Sequence, residues 1–390
     1  MMDLFTTDRH EQLIKIPWND TRVQTYSQYI IDQTISHYST DKYWPAHTLD
    51  SEEIPTSGFI DFYYGAGGIY WFLDKFNNLH DFNTKKEFLT SLSSIKFDKE
   101  NNISFFFDHI AFLLFRERID PAQDNRDLLF KLLEECNPND KNEILYGTPS
   151  TLLVAYNAFK ITGEDRFQKC CQIFIKKIFD EWIYDSILDC YLWTQHFSSS
   201  YKYVGAAHGT IGNLHVLYTV KELLNKNELK TLDERATAIF ERLASESNDY
   251  ANWPVFADSS NKFLLHWCHG APGVICALAD HLPSGQTIDK LFIKAAELIW
   301  EAGPLKKGTS ICHGTSGNAI AFLKIYKRTK DEKWFLRAKA FAMHCLEQCT
   351  ELEKKYGHLR FSLWTGDLGL VWLNEQIKNN TADLPMLDNY

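Results

Sequence analysis

The sequence predicts an all-α fold, a ring of about seven apolar inner helices surrounded by seven amphipathic outer ones. Three observations lead there. A short Gly-rich turn opening an apolar run recurs along the 390 residues, at Tyr64-Gly65-Ala66-Gly67-Gly68, Tyr146-Gly147-Thr148-Pro149-Ser150, Ala207-His208-Gly209, Cys268-His269-Gly270, Cys312-His313-Gly314 and Trp364-Thr365-Gly366. Between these turns lie stretches such as Lys290 to Trp300 and Trp334 to Leu346, where apolar residues fall at helical spacing with charges between them. No Pro/Ser-rich linker interrupts the chain, and its 11 prolines are dispersed. An apolar helix cannot hide its faces alone, so repeated pairs of outer and inner helices bury them by closing on one another.

Taken in order, the first 45 or so residues hold a short apolar patch from Leu13 to Ile16 and helical spacing from Tyr26 to Tyr38. They are expected to form an N-terminal helical segment packed on the ring, within one domain spanning residues 1–390. The interval from Gly65 to Gly147 is about twice that from Gly270 to Gly314, so a degraded unit is expected near Phe107-Asp108-His109-Ile110-Ala111. That brings the units to seven. Asp98 to Asn102 and Cys136 to Asn142, acidic and Asn-rich, read as solvated loops.

A hydrophobic content of 45% is ample for a sizeable core. The formal charge of -10 argues against a nucleic-acid partner, because a binder must neutralise phosphates with clustered Lys and Arg. Met1 to His10 contains no apolar core of signal-peptide length, and no uncharged run reaches the roughly 18 residues of a membrane span. A cytoplasmic protein is expected. Nine cysteines, an odd number without a short-scaffold pattern, point to reduced thiols rather than a disulfide framework.

Chemistry concentrates in two related stretches, Trp267-Cys268-His269-Gly270-Ala271-Pro272-Gly273 and Ile311-Cys312-His313-Gly314-Thr315-Ser316-Gly317-Asn318. A thiolate and an imidazole at a helix entrance suit a metal, because the positive helix end favours the thiolate that binds it. Zinc takes this donor set. A lone Cys-His dipeptide is more often a buried thiol than a ligand pair, but two copies in the same Gly-flanked context argue for a metal. The residues alone allow either a closed site using Cys268, His269, Cys312 and His313 or a three-ligand site with one open position. His344, Cys345 and Cys349 read as the ordinary core and surface of an outer helix.

A third stretch, Val204-Gly205-Ala206-Ala207-His208-Gly209-Thr210-Ile211-Gly212-Asn213, joins these two. With Leu305-Lys306-Lys307-Gly308 and Phe361-Ser362-Leu363, they resemble the lanthionine synthetase C-like family, specifically its eukaryotic glutathione-handling branch, from about Tyr201 to Leu373. The resemblance implies an (α/α) toroid of seven helix pairs whose active site lies where the Gly loops gather. It assigns Cys268, Cys312 and His313 to zinc, leaving His269 as a neighbour and one position for water or a thiol. The implied reaction adds glutathione to dehydroalanine or dehydrobutyrine residues of a peptide or protein, with His208 as the acid that protonates the enolate. Lys307 matches the family lysine that contacts a glutathione carboxylate, Arg360 is the cation remaining in the following loop, and Arg9 is the candidate for an N-terminal arginine.

The chain departs from the family at several points. Tyr146-Gly147-Thr148-Pro149-Ser150 replaces Tyr-Gly-Arg-Ala-Gly, and Ser362-Leu363-Trp364-Thr365-Gly366 replaces Ser-Leu-Phe-Glu-Gly. The loop before the latter is shortened to Gly357-His358-Leu359-Arg360. An alternative is a zinc-containing glutathione-binding or regulatory protein without turnover. The paired Cys-His-Gly motifs speak against a prenyltransferase β subunit, and a toroid glycosidase needs paired carboxylates where these loops offer Cys and His.

Overall fold

Each Gly-rich turn of the sequence leads into a helix buried on nearly every side. The computed structural model describes residues 4–39, 42–51, 58–76, 90, 104–258 and 262–390. Among them the inner helices are α2 (Ala66–Lys75), α3 (His109–Ile119), α5 (Thr148–Thr162), α7 (Thr210–Thr219), α9 (Ala271–Leu278), α11 (Thr315–Thr329) and α13 (Leu368–Asn379). The outer helices are α1 (Asp20–Ser36), α4 (Gln123–Glu135), α6 (Asp165–Asp180), α8 (Lys226–Arg242), α10 (Gln286–Ala302) and α12 (Glu332–Tyr356). The unit expected near Phe107 to Ala111 is α3. The outer helix expected before it and the loop at Asp98 to Asn102 lie outside the described residues.

The outer helices bury one stripe. Helix α6 turns Phe167, Cys170, Cys171, Phe174, Ile175 and Ile178 inward, the helical repeat of an amphipathic face. Local chemistry sets the ends: Asn225 and Glu228 form a capping box on α8, while Gly163 and Gly357 close α5 and α12 in the left-handed region. Successive inner helices touch from α3 through α5, α7, α9 and α11 to α13. The ring closes through α2, where Trp71 meets Trp372 of α13 at 5.6 Å and Asp74 pairs with Arg118 of α3 at 3.0 Å. Helix α1 packs on α12 and α13.

Glycine makes the turns possible. A Cβ on Gly273 would lie 1.9 Å from the carbonyl oxygen of Trp267, and one on Gly317 would lie 2.0 Å from that of Ile311. No other residue fits there without moving backbone. In the third repeat Ser150 stands in this position, and its hydroxyl is accommodated by accepting the Phe105 N–H at 2.7 Å.

Two findings differ from what the sequence led one to expect. Three antiparallel hairpins fill the connections: β1 (Ile183–Asp185) with β2 (Cys190–Leu192), β3 (Gln195–His196) with β4 (Ser200–Tyr201), and β5 (Ser245–Ser247) with β6 (Tyr250–Asn252). Asp189 and Asn248 supply left-handed backbone at two of the turns, a role Asp and Asn tolerate. The segment Cys136 to Asn142 is a loop, but its end is not solvated. Asn142 is buried, and its carbonyl accepts from Asn213 at 2.8 Å and Gln195 at 3.1 Å.

After α13 the chain folds back across the C-terminal halves of the inner helices. The Asp388 carboxylate accepts from His215 Nε2 at 2.6 Å, Lys324 Nζ at 3.1 Å and the Leu384 N–H at 2.8 Å, and Asp280 shares the same lysine at 2.7 Å. Burial alone would raise the Asp388 pKa, but the charges of Lys324 and His215 outweigh it and hold the carboxyl well below its ordinary range. A depressed carboxyl stabilises the fold fully above its unfolded value, about 4, and loses that contribution as pH falls toward its folded value. Asp388→Asn is therefore expected to cost about 3 kcal/mol in urea unfolding at pH 7. The difference from wild type should shrink below about pH 4, and a difference independent of pH would contradict the ion-pair account.

Candidate functional site

The loops leading into α9 and α11 carry the two Cys-His pairs, and the Gly turns decide how those side chains meet. Ligand atoms of Cys268, Cys312 and His313 lie within 4.8 Å of one another. The arrangement is tied by backbone hydrogen bonds: Cys312 N–H to Trp364 carbonyl at 2.9 Å, Cys268 N–H to Cys312 carbonyl at 3.4 Å and Ala207 N–H to Cys268 carbonyl at 3.3 Å. His269 is turned elsewhere. Its ring faces His208 at 6.3 Å and Tyr203 at 5.8 Å, so it stands outside the group of three.

Both thiols are buried, which opposes a thiolate at either sulfur. At Cys312 the hydrogen bond from Cys268 and the nearness of His313 and Tyr63 outweigh burial and hold the thiol well below its ordinary range. At Cys268 burial and the neighbouring Cys312 push the thiol well up. The two sulfurs thus favour opposite protonation states, and a bound cation would favour the thiolate at both.

His208 ends the loop before α7, its side chain 34% exposed. Its Nδ1 lies 3.1 Å from the carboxylate of Glu143, which is fully buried and also accepts the N–H groups of Leu145, at 2.9 Å, and Tyr146. Burial lowers the His208 pKa, but the hydrogen bond and charge of Glu143, with Cys312 beyond, raise it overall above its ordinary value. The exposed ring of Phe197 and the half-buried ring of Tyr203 flank the imidazole at 6.3 and 6.1 Å.

The cations are placed unequally. Lys307 is exposed and lines a small cavity with Thr309, His358 and Arg360, near enough to Cys268 to favour its thiolate. Arg360 shares that cavity, but its guanidinium is buried and grips Asp50 at two points, Nε to Oδ2 at 2.9 Å and Nη2 to Oδ1. A substrate carboxylate would have to compete with that ion pair. Arg9 sits on an N-terminal strap fastened by its own carbonyl to Lys306 N–H at 3.0 Å and by the Glu11 N–H to Pro304 at 2.9 Å, which sets it beside the Lys306-Lys307 turn.

Where the sequence departs from the family pattern, the replacements are satisfied internally. The Thr148 hydroxyl donates to the Asn139 carbonyl at 3.0 Å, and Thr365 pairs with Ser362 at 2.7 Å. Cys345 and Cys349 are core, and His344 bonds Glu11 at 2.8 Å. Three site residues escaped the sequence reading. They are Glu143, Tyr63, whose hydroxyl lies 2.5 Å from Cys312 Sγ, and His266, whose Nδ1 lies 3.0 Å from Cys268 Sγ. The available signal for His266 was its place two residues before a cysteine already singled out. Tyr63 adjoins a Gly turn, and Glu143 had only its nearness to one.

A family model described as "Lanthionine synthetase C-like protein" matches residues 49–388. "Glutathione S-transferase LANCL1" of Danio rerio is 37% identical over 147 residues, covering 37% of this chain and 36% of that protein. "LanC-like protein GCL1" of Arabidopsis thaliana is 31% identical over 154 residues, covering 39% of this chain and 34% of that protein. The matched stretch is thus little more than a third of either relative's length. Among solved structures, "Nisin cyclase" superposes with a TM-score of 0.60 over 93% of this chain and 95% of that one, at 14% identity. At that identity the likeness speaks for the helical ring alone.

The Glu143 contact makes a prediction about His208. In Glu143→Gln the charge that opposes burial is gone, so the His208 imidazole should titrate below the ordinary 6.5 rather than above it. Histidine titration by NMR reads this directly, and an unchanged midpoint would remove Glu143 as the partner that sets it.

Proposed function

The chain belongs to the lanthionine synthetase C-like family, and on that premise we propose that it is a zinc-dependent glutathione transferase acting on dehydroalanine or dehydrobutyrine residues of peptides or proteins. The observation that carries the reading is the trio Cys268, Cys312 and His313 within 4.8 Å beside a Glu143-supported His208.

The residues fit zinc. Bonds of about 2.3 Å to sulfur and about 2.0 Å to nitrogen place tetrahedral ligand atoms within the observed spread. His313 Nε2 lies 3.6 Å from Cys312 Sγ, and its Nδ1 is buried without a partner among the described residues. Three protein ligands leave one position open, and zinc so held supplies a place where a thiol binds as thiolate at neutral pH.

The chain's own residues do the rest. As the sulfur bonds to the β carbon of the dehydroamino acid, the electrons of the double bond move toward the carbonyl and the α carbon must be protonated. His208, raised above its ordinary pKa and oriented by Glu143, holds that proton and faces the group of three from the neighbouring loop. Lys307 and Arg9 flank the opening as partners for glutathione carboxylates. Arg360, offset by Asp50, serves this reading only as part of the wall behind Lys307.

All nine cysteines are unpaired, and no helix of the described residues is long and apolar enough to cross a membrane. A reducing cytoplasm, which holds glutathione, is the setting this reading assigns. A glutathione-binding protein without turnover would need the metal ligands alone; the intact His208 and Glu143 pair favours an enzyme.

Metal analysis combined with mass spectrometry on a dehydroalanine peptide tests the reading. The expected outcome is one zinc per chain, lost with thermal stability in Cys312→Ala, and glutathione addition that falls about 100-fold to 10,000-fold in a zinc-loaded His208→Ala. Full zinc occupancy in Cys268→Ala, Cys312→Ala and His313→Ala alike would overturn the ligand set, and undiminished turnover in His208→Ala would overturn the acid.

A further inference from the structure

Each sulfur of the candidate metal site has a buried side chain aimed at it that the reaction above leaves unused. The Tyr63 hydroxyl meets Cys312 Sγ at 2.5 Å, and His266 Nδ1 meets Cys268 Sγ at 3.0 Å. Tyr63 is 3% exposed and His266 is 5% exposed. They arrive from separate repeats, Tyr63 from the loop before α2 and His266 from the loop before α9.

Neither group is free to wander. The ring of Tyr63 stacks on Trp364 at 6.0 Å with 9° between the planes, and its N–H donates to Asp61 at 2.8 Å. His266 exchanges both backbone hydrogen bonds with His269 at 3.1 Å, which pins the imidazole above Cys268. A metal-bound sulfur is a thiolate and has no proton to give, so both neighbours must be the donors, with the His266 proton on Nδ1.

Two thiolates balance the charge of one zinc ion. A third thiolate leaves an excess negative charge in a site whose cysteines are buried, and that is costly unless donors spread it over neighbouring groups. We propose that Tyr63 and His266 are positioning residues that each donate one hydrogen bond to a metal-binding sulfur, Tyr63 to Cys312 and His266 to Cys268, so that the site accepts a third sulfur. The proposal rests on the zinc reading. Outer partners of this kind orient the ligands and tune the metal they hold.

Cobalt(II) in place of zinc separates the two readings, because its thiolate charge-transfer absorption reports both the ligands and the hydrogen bonds on them. Wild-type full-length protein should show the band. Tyr63→Phe keeps the ring and its stack on Trp364 but loses the donor, and the band should move to longer wavelength while chelator competition shows zinc held about 10-fold to 100-fold less tightly. His266→Phe and His266→Leu should act in the same direction, and either suffices if the other does not fold. A band unmoved and zinc affinity unchanged in Tyr63→Phe and in a folded His266 variant would reduce both residues to packing and overturn the proposal. A wild-type protein without any thiolate band would overturn the metal reading and this inference with it.

Discussion

The close approach of backbone to backbone at the Gly turns is the constraint on which the rest of the molecule depends. At Gly68, Gly212, Gly273 and Gly317 the carbonyl oxygen six residues earlier occupies the space of a Cβ, at 2.3, 2.3, 1.9 and 2.0 Å from where that atom would be. The turn can then fold under the first turn of its helix and deliver an apolar helix into the ring. For Gly273 and Gly317 the carbonyls belong to Trp267 and Ile311, the residues immediately before Cys268 and Cys312. The glycines that build the ring therefore also place the two sulfurs.

What gathers at that end of the ring is a set of groups that oppose burial and are reconciled only by one another. Two buried thiols are pushed in opposite directions, an imidazole is held above its ordinary pKa by a carboxylate with no exposed surface, and exposed cations stand at the edge. A divalent ion held by both sulfurs would resolve the first conflict by favouring the thiolate at each. The opposite end is managed differently. There Asp388, Lys324, His215 and Asp280 settle their charges within the chain, and the C-terminal tail is fastened by the result.

How far the sequence could be read depended on the distance between partners. Inner helices were legible because turn and apolar run are contiguous, and even the degraded unit at Phe107 to Ala111 proved to be α3, with Asp108 at the N-cap where five of the other turns have glycine. The outer stripes at Lys290 to Trp300 and Trp334 to Leu346, which lie in α10 and α12, were visible for the same reason. Nothing local announced that Glu143 reaches His208 across 65 residues or that Tyr63 reaches Cys312 across 249. Asp50 neutralises Arg360 across 310 residues, which is why an arginine in a substrate loop looked free in the sequence and is paired in the fold. The hairpins were hidden by their brevity, since strands of two or three residues carry no usable alternation.

The account turns on an open three-ligand metal site that takes a thiol as its fourth ligand. Extended X-ray absorption fine structure at the zinc edge, with and without glutathione, reads the coordination sphere itself. Without glutathione the account predicts two sulfur neighbours at about 2.3 Å and two lighter atoms. With it, three sulfurs and one nitrogen should appear at similar distances. A sphere of two sulfurs and two nitrogens, unaltered by saturating glutathione, would mean a closed structural site and contradict the proposed chemistry.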